Sequence, residues 1–119
     1  MGYLFLNTRF YEDNLGAKRV AVLRTPDGAT NIELNLGGMR VLVKSLPENA
    51  GAKSEAAGKS YGLEHFGIRT DDIEAMVATL KSAGVVFRDE LSYIRPGVRI
   101  AFFWAPDNVL VEVTERKTT

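Results

Sequence analysis

Apolar side chains recur at helical spacing in one segment of the second half of the chain, from Asp71 to Ala83. This stripe predicts an amphipathic helix, and Asp71 with Glu74 has the spacing of a capping box at its start. Gly84 follows the segment and supplies the left-handed residue that commonly ends a helix. The stripe consists of Ile73, Met76, Val77 and Leu80.

Around this helix, apolar and polar residues alternate with the period of two that is typical of a β-strand. In the last of these segments three valines face away from Glu112, and in the first His65 faces away from Phe66. Trp104 shares its side of a strand with apolar residues only, which places it in the predicted core. The predicted strands are 65–70, 85–91, 98–104 and 109–114, with a turn at 95–97. The second half therefore reads strand, helix, strand, strand, strand.

The first half repeats this order less completely. A short strand is predicted over Tyr3–Leu6 and a short helix over Thr8–Leu15, which Gly16 ends. Strands follow at 18–24, 31–36 and 39–45, with turns at 26–28 and 37–38. If Gly16 matches Gly84, the counterpart of His65 falls before the first residue, so the first copy is expected to be abbreviated. The modules cover about 1–46 and 63–115, and 47–62 is a connector of small and charged residues.

The composition and charge of the chain limit the kinds of molecule that it is expected to bind. The chain of 119 residues is long enough for one domain, with 45% apolar residues, and its 15 basic and 15 acidic residues cancel. A neutral chain is not expected to bind nucleic acid or an anionic membrane surface as its main partner. The absence of cysteine excludes disulfides and thiol catalysis, and no apolar run is long enough to span a bilayer. A cytoplasmic protein is expected.

Three motifs resemble those of a known superfamily. Residues 65–73 (HFGIRTDDI) resemble its strand-to-helix entry, and residues 97–113 (GVRIAFFWAPDNVLVEV) resemble its closing hairpin. Residues 10–16 (FYEDNLG) resemble its helix end. The chain is similar in these motifs to the vicinal-oxygen-chelate superfamily, which includes glyoxalase I, bleomycin-resistance proteins and extradiol dioxygenases. The resemblance implies an α+β fold of two βαβββ modules that form a cupped mixed sheet, with the first module abbreviated.

The resemblance also implies a metal site. In metal-dependent members each module gives one ligand from its first strand and one from its last, which makes His65 and Glu112 the candidate ligands of the second module. An imidazole and a carboxylate suit Zn, Ni, Co, Mn or Fe, and Glu112 would also be the catalytic base. The first module departs from the pattern, because its last strand has no carboxylate and Glu33 lies one strand too early. With a single histidine in the chain, extradiol dioxygenase chemistry is disfavoured.

Each candidate residue has a plainer interpretation. His65 is also consistent with a partly buried, hydrogen-bonded histidine, and Glu112 with an ion pair to Arg69 or Arg99. Arg69, Arg99 and Phe103 are the candidate substrate-binding residues, and a guanidinium at position 99 would hold a ligand carboxylate.

Three functions follow from this interpretation. The first is a protein that binds a small molecule in the cup without a complete four-ligand metal site. The second is a metal-dependent lyase, isomerase or epimerase, and the third is a scaffold without a ligand. Exposed strand edges and the abbreviated module favour a homodimer.

Overall fold

The computed structural model describes residues 2–45 and 62–117, which belong to two compact units, Met1–Lys53 and Ser54–Thr119. Each unit contains one helix and one sheet, so the predicted α+β class is confirmed. Apart from Gly62, the predicted connector lies outside the described residues. Neither described helix has the length and apolar character that crossing a bilayer requires.

The first unit is a helix followed by an antiparallel three-stranded sheet in the order β1-β2-β3. Its core is formed by the apolar positions of the middle strand, since Ile32 and Leu34 are fully buried. Burial also raises the pKa of Tyr11, on the helix, to about 12. The elements are α1 (Gly2–Leu15), β1 (Lys18–Arg24), β2 (Thr30–Leu36) and β3 (Met39–Lys44).

The opening strand predicted over Tyr3–Leu6 is wrong. These residues belong to α1, which starts at Gly2 and includes the shorter helix predicted over Thr8–Leu15. A short apolar run has no periodicity that separates a strand from a helix, and no Gly or Pro interrupts the chain between it and Leu15. In the described part of the first unit the order is helix, strand, strand, strand, which matches the second unit without its opening strand, as the sequence predicts for the first module.

The second unit has the complete strand-helix-strand-strand-strand order that the sequence predicts. Its four strands are arranged β4-β7-β6-β5, with β4 parallel to β7 and the other neighbours antiparallel. The strand predicted over 85–91 is displaced, because β5 starts at Phe87, two residues later, and continues to the turn after Arg95. The elements are β4 (His65–Arg69), α2 (Ile73–Ser82), β5 (Phe87–Arg95), β6 (Val98–Ala105) and β7 (Val109–Arg116), with a 3-10 turn at Pro106–Asn108.

The sheet of the second unit has one face covered by α2, which we call the helix-side face. The helix packs there through the predicted stripe, of which Ile73, Val77 and Leu80 are buried. The sheet supplies Ala101, Phe103, Val111 and Val113, all fully buried. We call the opposite surface the far face; strand alternation and register assign to it His65, Gly67, Arg69, Phe102, Trp104 and Glu112.

The start of α2 differs by one residue from the predicted capping box. Asp72, not Asp71, is the N-cap, and its carboxylate accepts a hydrogen bond from the backbone N–H of Ala75 over 3.1 Å. Glu74 contacts Arg99 instead, with 3.3 Å between Oε1 and Nη1. Either aspartate has the chemistry of an N-cap, and the backbone conformation selects the second.

Candidate functional site

His65 and Glu112 lie on the same face of the same sheet. β4 and β7 are parallel neighbours, and their register pairs His65 with Leu110 and Gly67 with Glu112. Because side chains alternate along a strand, His65 and Gly67 share a face, and Glu112 shares it with them. The structure therefore brings together the two residues that the sequence suggested as metal ligands.

His65 is held in a defined orientation by two contacts. Its Nδ1–H donates a hydrogen bond to Oε1 of Glu64 over 2.9 Å. Its ring meets the ring of Phe102 edge-on, with 5.1 Å between centroids and 79° between planes. A carboxylate partner at Nδ1 places the proton of a neutral imidazole on that nitrogen, which leaves the lone pair on Nε2. Nε2 can then accept a hydrogen bond or bind a metal.

The carboxylate of Glu112 lies directly over the backbone of Gly67. A β-carbon at position 67 would lie 3.2 Å from Oε1 of Glu112, which is closer than an ordinary contact. The φ angle of Gly67 is not in the left-handed region, so the backbone itself does not require glycine there. Glu112 is half-buried, and no described residue of the second unit forms an ion pair with it. Its oxygens are therefore available to a ligand.

Phe102 and Trp104 supply the apolar part of the far face. Both are half-buried, and they pair across the sheet with Glu112 and Leu110 respectively. The core position predicted for Trp104 is wrong, because the buried side of β6 is the one that carries Ala101 and Phe103. Arg69 also lies on the far face and is exposed, opposite Thr114 in register.

Arg99 and Phe103 lie on the helix-side face and do not share a surface with His65 and Glu112. Phe103 is fully buried, and its ring lies 5.7 Å from that of Phe87. Arg99 donates from Nε and Nη2 to Oε1 of Glu115, over 3.1 and 2.8 Å. An ion pair of Arg99 with Glu112 was one predicted alternative; the observed partners of Arg99 are Glu115 and Glu74. We therefore leave Arg99 and Phe103 out of the candidate site.

Glu115 was missed by the sequence analysis, and among the described residues of the second unit it is the buried carboxylate. Its side chain is 3% exposed, and it accepts a hydrogen bond from the backbone N–H of Ile73 over 2.9 Å. That bond first, and the bond from Arg99 next, hold the pKa of Glu115 below its ordinary value. The signal was present in the sequence: position 115 continues the face of the three valines, where a carboxylate needs a partner.

The first unit places its carboxylate differently. Glu33 lies on the middle strand, opposite Leu42 on β3, and both point away from the face that carries Ile32 and Leu34. Arg40 forms an ion pair with Glu33 over 3.1 Å. The prediction that Glu33 lies one strand too early matches this register, since the last strand has Leu42 where a ligand would be expected.

The described residues do not complete a metal site of the kind that the resemblance implies. The second unit offers one imidazole nitrogen and one carboxylate, whereas a structural or catalytic zinc site uses three or four protein ligands. Among residues 2–45 and 62–117, no three His, Asp or Glu side chains are grouped so that they could hold a metal ion.

Comparison with solved structures supports the fold. The chain is similar to a glyoxylase/bleomycin resistance protein/dioxygenase domain from Frankia sp. EAN1pec, with a TM-score of 0.77 and 19% identity over 95% of this chain and 88% of that one. It is also similar to TnmS3, an antibiotic binding protein from Streptomyces sp. CB03234, with a TM-score of 0.65 and 20% identity over 93% and 84% of the two chains.

A third similar structure is a glyoxalase I mutant from Zea mays, with a TM-score of 0.76 and 25% identity over 97% of this chain but 42% of that one. No curated protein sequence matches the chain. A family model matches residues 4–113, which is most of the 119 residues. The chain therefore belongs to the Glyoxalase/Bleomycin resistance protein/Dioxygenase superfamily.

Proposed function

We propose that the chain binds a small, partly aromatic molecule on the far face of the second unit, without a complete four-ligand metal site. The observation that supports this most directly is the presence of Nε2 of His65 and the carboxylate of Glu112 on the face that carries Phe102 and Trp104. Small-molecule sites combine apolar and aromatic surface with a few oriented polar groups, and this face has both.

The chemistry of the face indicates how such a ligand would be held. Glu112 accepts hydrogen bonds only, so it fits a ligand hydroxyl or N–H group. Nε2 of His65 also accepts, while Phe102 and Trp104 provide contact with the flat or apolar part of the ligand. TnmS3, with a similar fold, is an antibiotic binding protein by its name, which is consistent with binding as the function of this fold.

A thermal-shift titration tests this proposal. A panel of planar hydroxylated aromatics, including methyl 6-hydroxy-2-naphthoate, is added to the untagged protein. We expect at least one member to raise Tm, because a ligand present at a hundred times its Kd stabilises the folded state by about 2.7 kcal/mol. Glu112→Leu should abolish the rise, and Glu90→Leu, an exposed carboxylate of β5, should preserve it. A panel without any effect on Tm would instead favour a scaffold without a ligand.

The second candidate is a divalent-metal-dependent lyase, isomerase or epimerase. It is favoured by the common face of His65 and Glu112, which would be two of the ligands, with Glu112 as the base. Metal analysis of protein purified without a histidine tag separates the two candidates. One equivalent of divalent metal that is lost in His65→Ala would support the enzyme, and protein free of metal after incubation with Zn, Ni, Co, Mn or Fe would support binding alone.

We also propose that the protein is a cytoplasmic homodimer. Each sheet has strand edges with apolar side chains, including Val20 on β1 and Tyr93 on β5, which are 57% and 66% exposed. Such edges are commonly covered by a second chain. Light scattering at micromolar concentration should give the mass of two protomers, and the mass of one would contradict the proposal.

A further inference from the structure

Arg88 lies at an irregularity of β5 that turns its side chain onto the far face. The register of β5 with β6 shifts between Phe87, which pairs with Phe103, and Asp89, which pairs with Phe102. Arg88 is the extra residue between them. Its Cζ lies 4.7 Å from the centroid of the Phe102 ring, so the guanidinium is on the side of the sheet that carries His65 and Glu112.

The ring of Phe102 fixes the position of this guanidinium relative to the candidate site. A guanidinium that stacks on an aromatic ring is attracted by the negative face of the ring. This contact limits the orientations that the guanidinium adopts. The same ring contacts His65 edge-on, so Phe102 packs against both the cation and the imidazole. The far face therefore has a cation at β5 and a carboxylate at β7, separated by the strand that carries Phe102.

Arg88 retains donors for a ligand. Its Nε and Nη2 donate to one oxygen of Asp89, over 3.1 and 2.7 Å, and the Arg88 side chain is 40% exposed. A guanidinium has five N–H groups in a planar fork. In the described part of the chain, the other three N–H groups have no hydrogen-bond partner.

We infer that Arg88 binds a carboxylate of the ligand, so that the proposed ligand is a flat molecule with a carboxylate at one end and a hydroxyl at the other. This inference rests on the proposed binding function and names its ligand class. A carboxylate matches the two-pronged donor geometry of arginine, and Glu112 accepts the hydroxyl. Two strand spacings separate β5 from β7, about 9–10 Å, which favours a fused-ring ligand over a shorter one.

Two probes, one with a free carboxylate and one with that carboxylate methylated, test the inference by calorimetry. 6-Hydroxy-2-naphthoate carries the carboxylate, and its methyl ester keeps the rings and the hydroxyl but is neutral. We expect the wild-type protein to bind the acid about tenfold or more tightly than the ester, because only the acid offers a negative charge to the N–H groups of the guanidinium.

Three variants assign that preference to Arg88. Arg88→Leu should weaken binding of the acid about tenfold and leave the ester almost unchanged. Asp89→Asn should strengthen binding of the acid a few-fold, because it removes the carboxylate that competes for the same guanidinium. Arg95→Leu removes an equal charge from an exposed position at the far end of the same strand and should change neither affinity.

The outcomes separate this inference from the proposed function. Equal affinity of the wild-type protein for acid and ester, or an acid preference that survives Arg88→Leu, would overturn the inference while binding itself stands. Weaker binding of the acid by Asp89→Asn would also overturn it. If neither probe binds, the ligand class is rejected, and the panel of planar aromatics then decides whether the proposed function falls with it.

Discussion

The two units share a helix followed by three antiparallel strands, and their last hairpins can be compared pair by pair. The fourth residue pair from the turn is Glu33 with Leu42 in the first unit and Phe102 with Glu112 in the second. Each pair has one carboxylate and one apolar side chain, in opposite order. The carboxylate has moved by one strand, about 4.7–4.9 Å, although the backbone pairing is the same.

The neighbours of these pairs also differ. In the second unit β7 is covered on its other side by β4, which brings His65 and Gly67 to the carboxylate of Glu112. In the described part of the first unit, β3 is an edge strand and Glu33 is paired with Arg40 instead. A carboxylate with an ion-pair partner is less available to a ligand. The proposed binding residues therefore belong to the second copy of the module only.

The two hairpins also differ at the seventh residue pair from the turn, which is Arg99 with Glu115 in the second unit. The first turn of α2 donates its Ile73 N–H to Glu115, which also holds Arg99. The matching pair of the first unit is Thr30 with Ser45, joined by a backbone and a hydroxyl hydrogen bond of 2.8 Å each. The second unit thus depends on a buried charge where the first uses neutral groups.

Replacement of that charge should give the largest change in stability. Glu115→Gln keeps the shape but leaves the guanidinium of Arg99, whose side chain is 15% exposed, without its main partner. Loss of one partner from a buried ion pair is strongly destabilising because the other charge stays buried. We expect Tm, measured by circular dichroism, to fall by roughly 5–10 °C.

The control for this change is Glu90→Gln, which removes an exposed ion pair between β5 and α2. Glu90 and its partner Lys81 are 66% and 49% exposed, so their pair should contribute little. A fall in Tm of less than about 2 °C is expected. Equal effects of the two substitutions would show that the buried position of Glu115 does not distinguish it.

The pH dependence of the stability of the protein should depend on the ionisation of Glu115. The pKa of Glu115 is lower in the folded state than its ordinary value, so its ionised form stabilises the fold. This contribution is complete above the unfolded pKa of about 4.3 and is lost as the pH falls through the folded pKa. The difference in Tm between the wild-type protein and Glu115→Gln should therefore shrink below about pH 4. A difference that stays constant down to pH 2.5 would contradict this assignment.

The face on which each candidate residue lies follows largely from the alternation of side chains along the strands. Alternation alone placed His65 and Glu112 on the less apolar sides of their strands, and the structure has them on one face. Alternation could not identify the core side of β6, because both of its sides carry large apolar residues. Trp104 was assigned to the core for that reason, while the buried ring is Phe103.

Two further features depend on interactions that a single sequence does not reveal. The apolar residues of Tyr3–Leu6 have no helical or strand periodicity. They are helical because they belong to a helix that continues to Leu15. The irregularity in β5 rotates Arg88 out of the alternation, and no turn residue marks it in the sequence. Local pattern predicts the type of an element better than its start, its bulges or the side that its neighbour covers.

The smallest expected effect concerns the contact between Gly67 and Glu112, which has no counterpart opposite Leu42 in the described part of the first unit. Alanine in a strand is more stable than glycine by roughly 0.5–1 kcal/mol where the backbone allows it. At position 67 the new β-carbon would lie 3.2 Å from Oε1 of Glu112, so the carboxylate must move by a few tenths of an ångström. That displacement should cancel most of the gain.

A double-mutant cycle measured by urea unfolding isolates this contact. We expect Gly67→Ala to change the free energy of unfolding little in the wild-type protein and to stabilise Glu112→Ala by about 0.5–1 kcal/mol. The difference between the two backgrounds is the cost of moving the Glu112 carboxylate. If Gly67→Ala has the same effect in both backgrounds, the Glu112 carboxylate does not contact position 67. That result would contradict its placement over Gly67 on the far face.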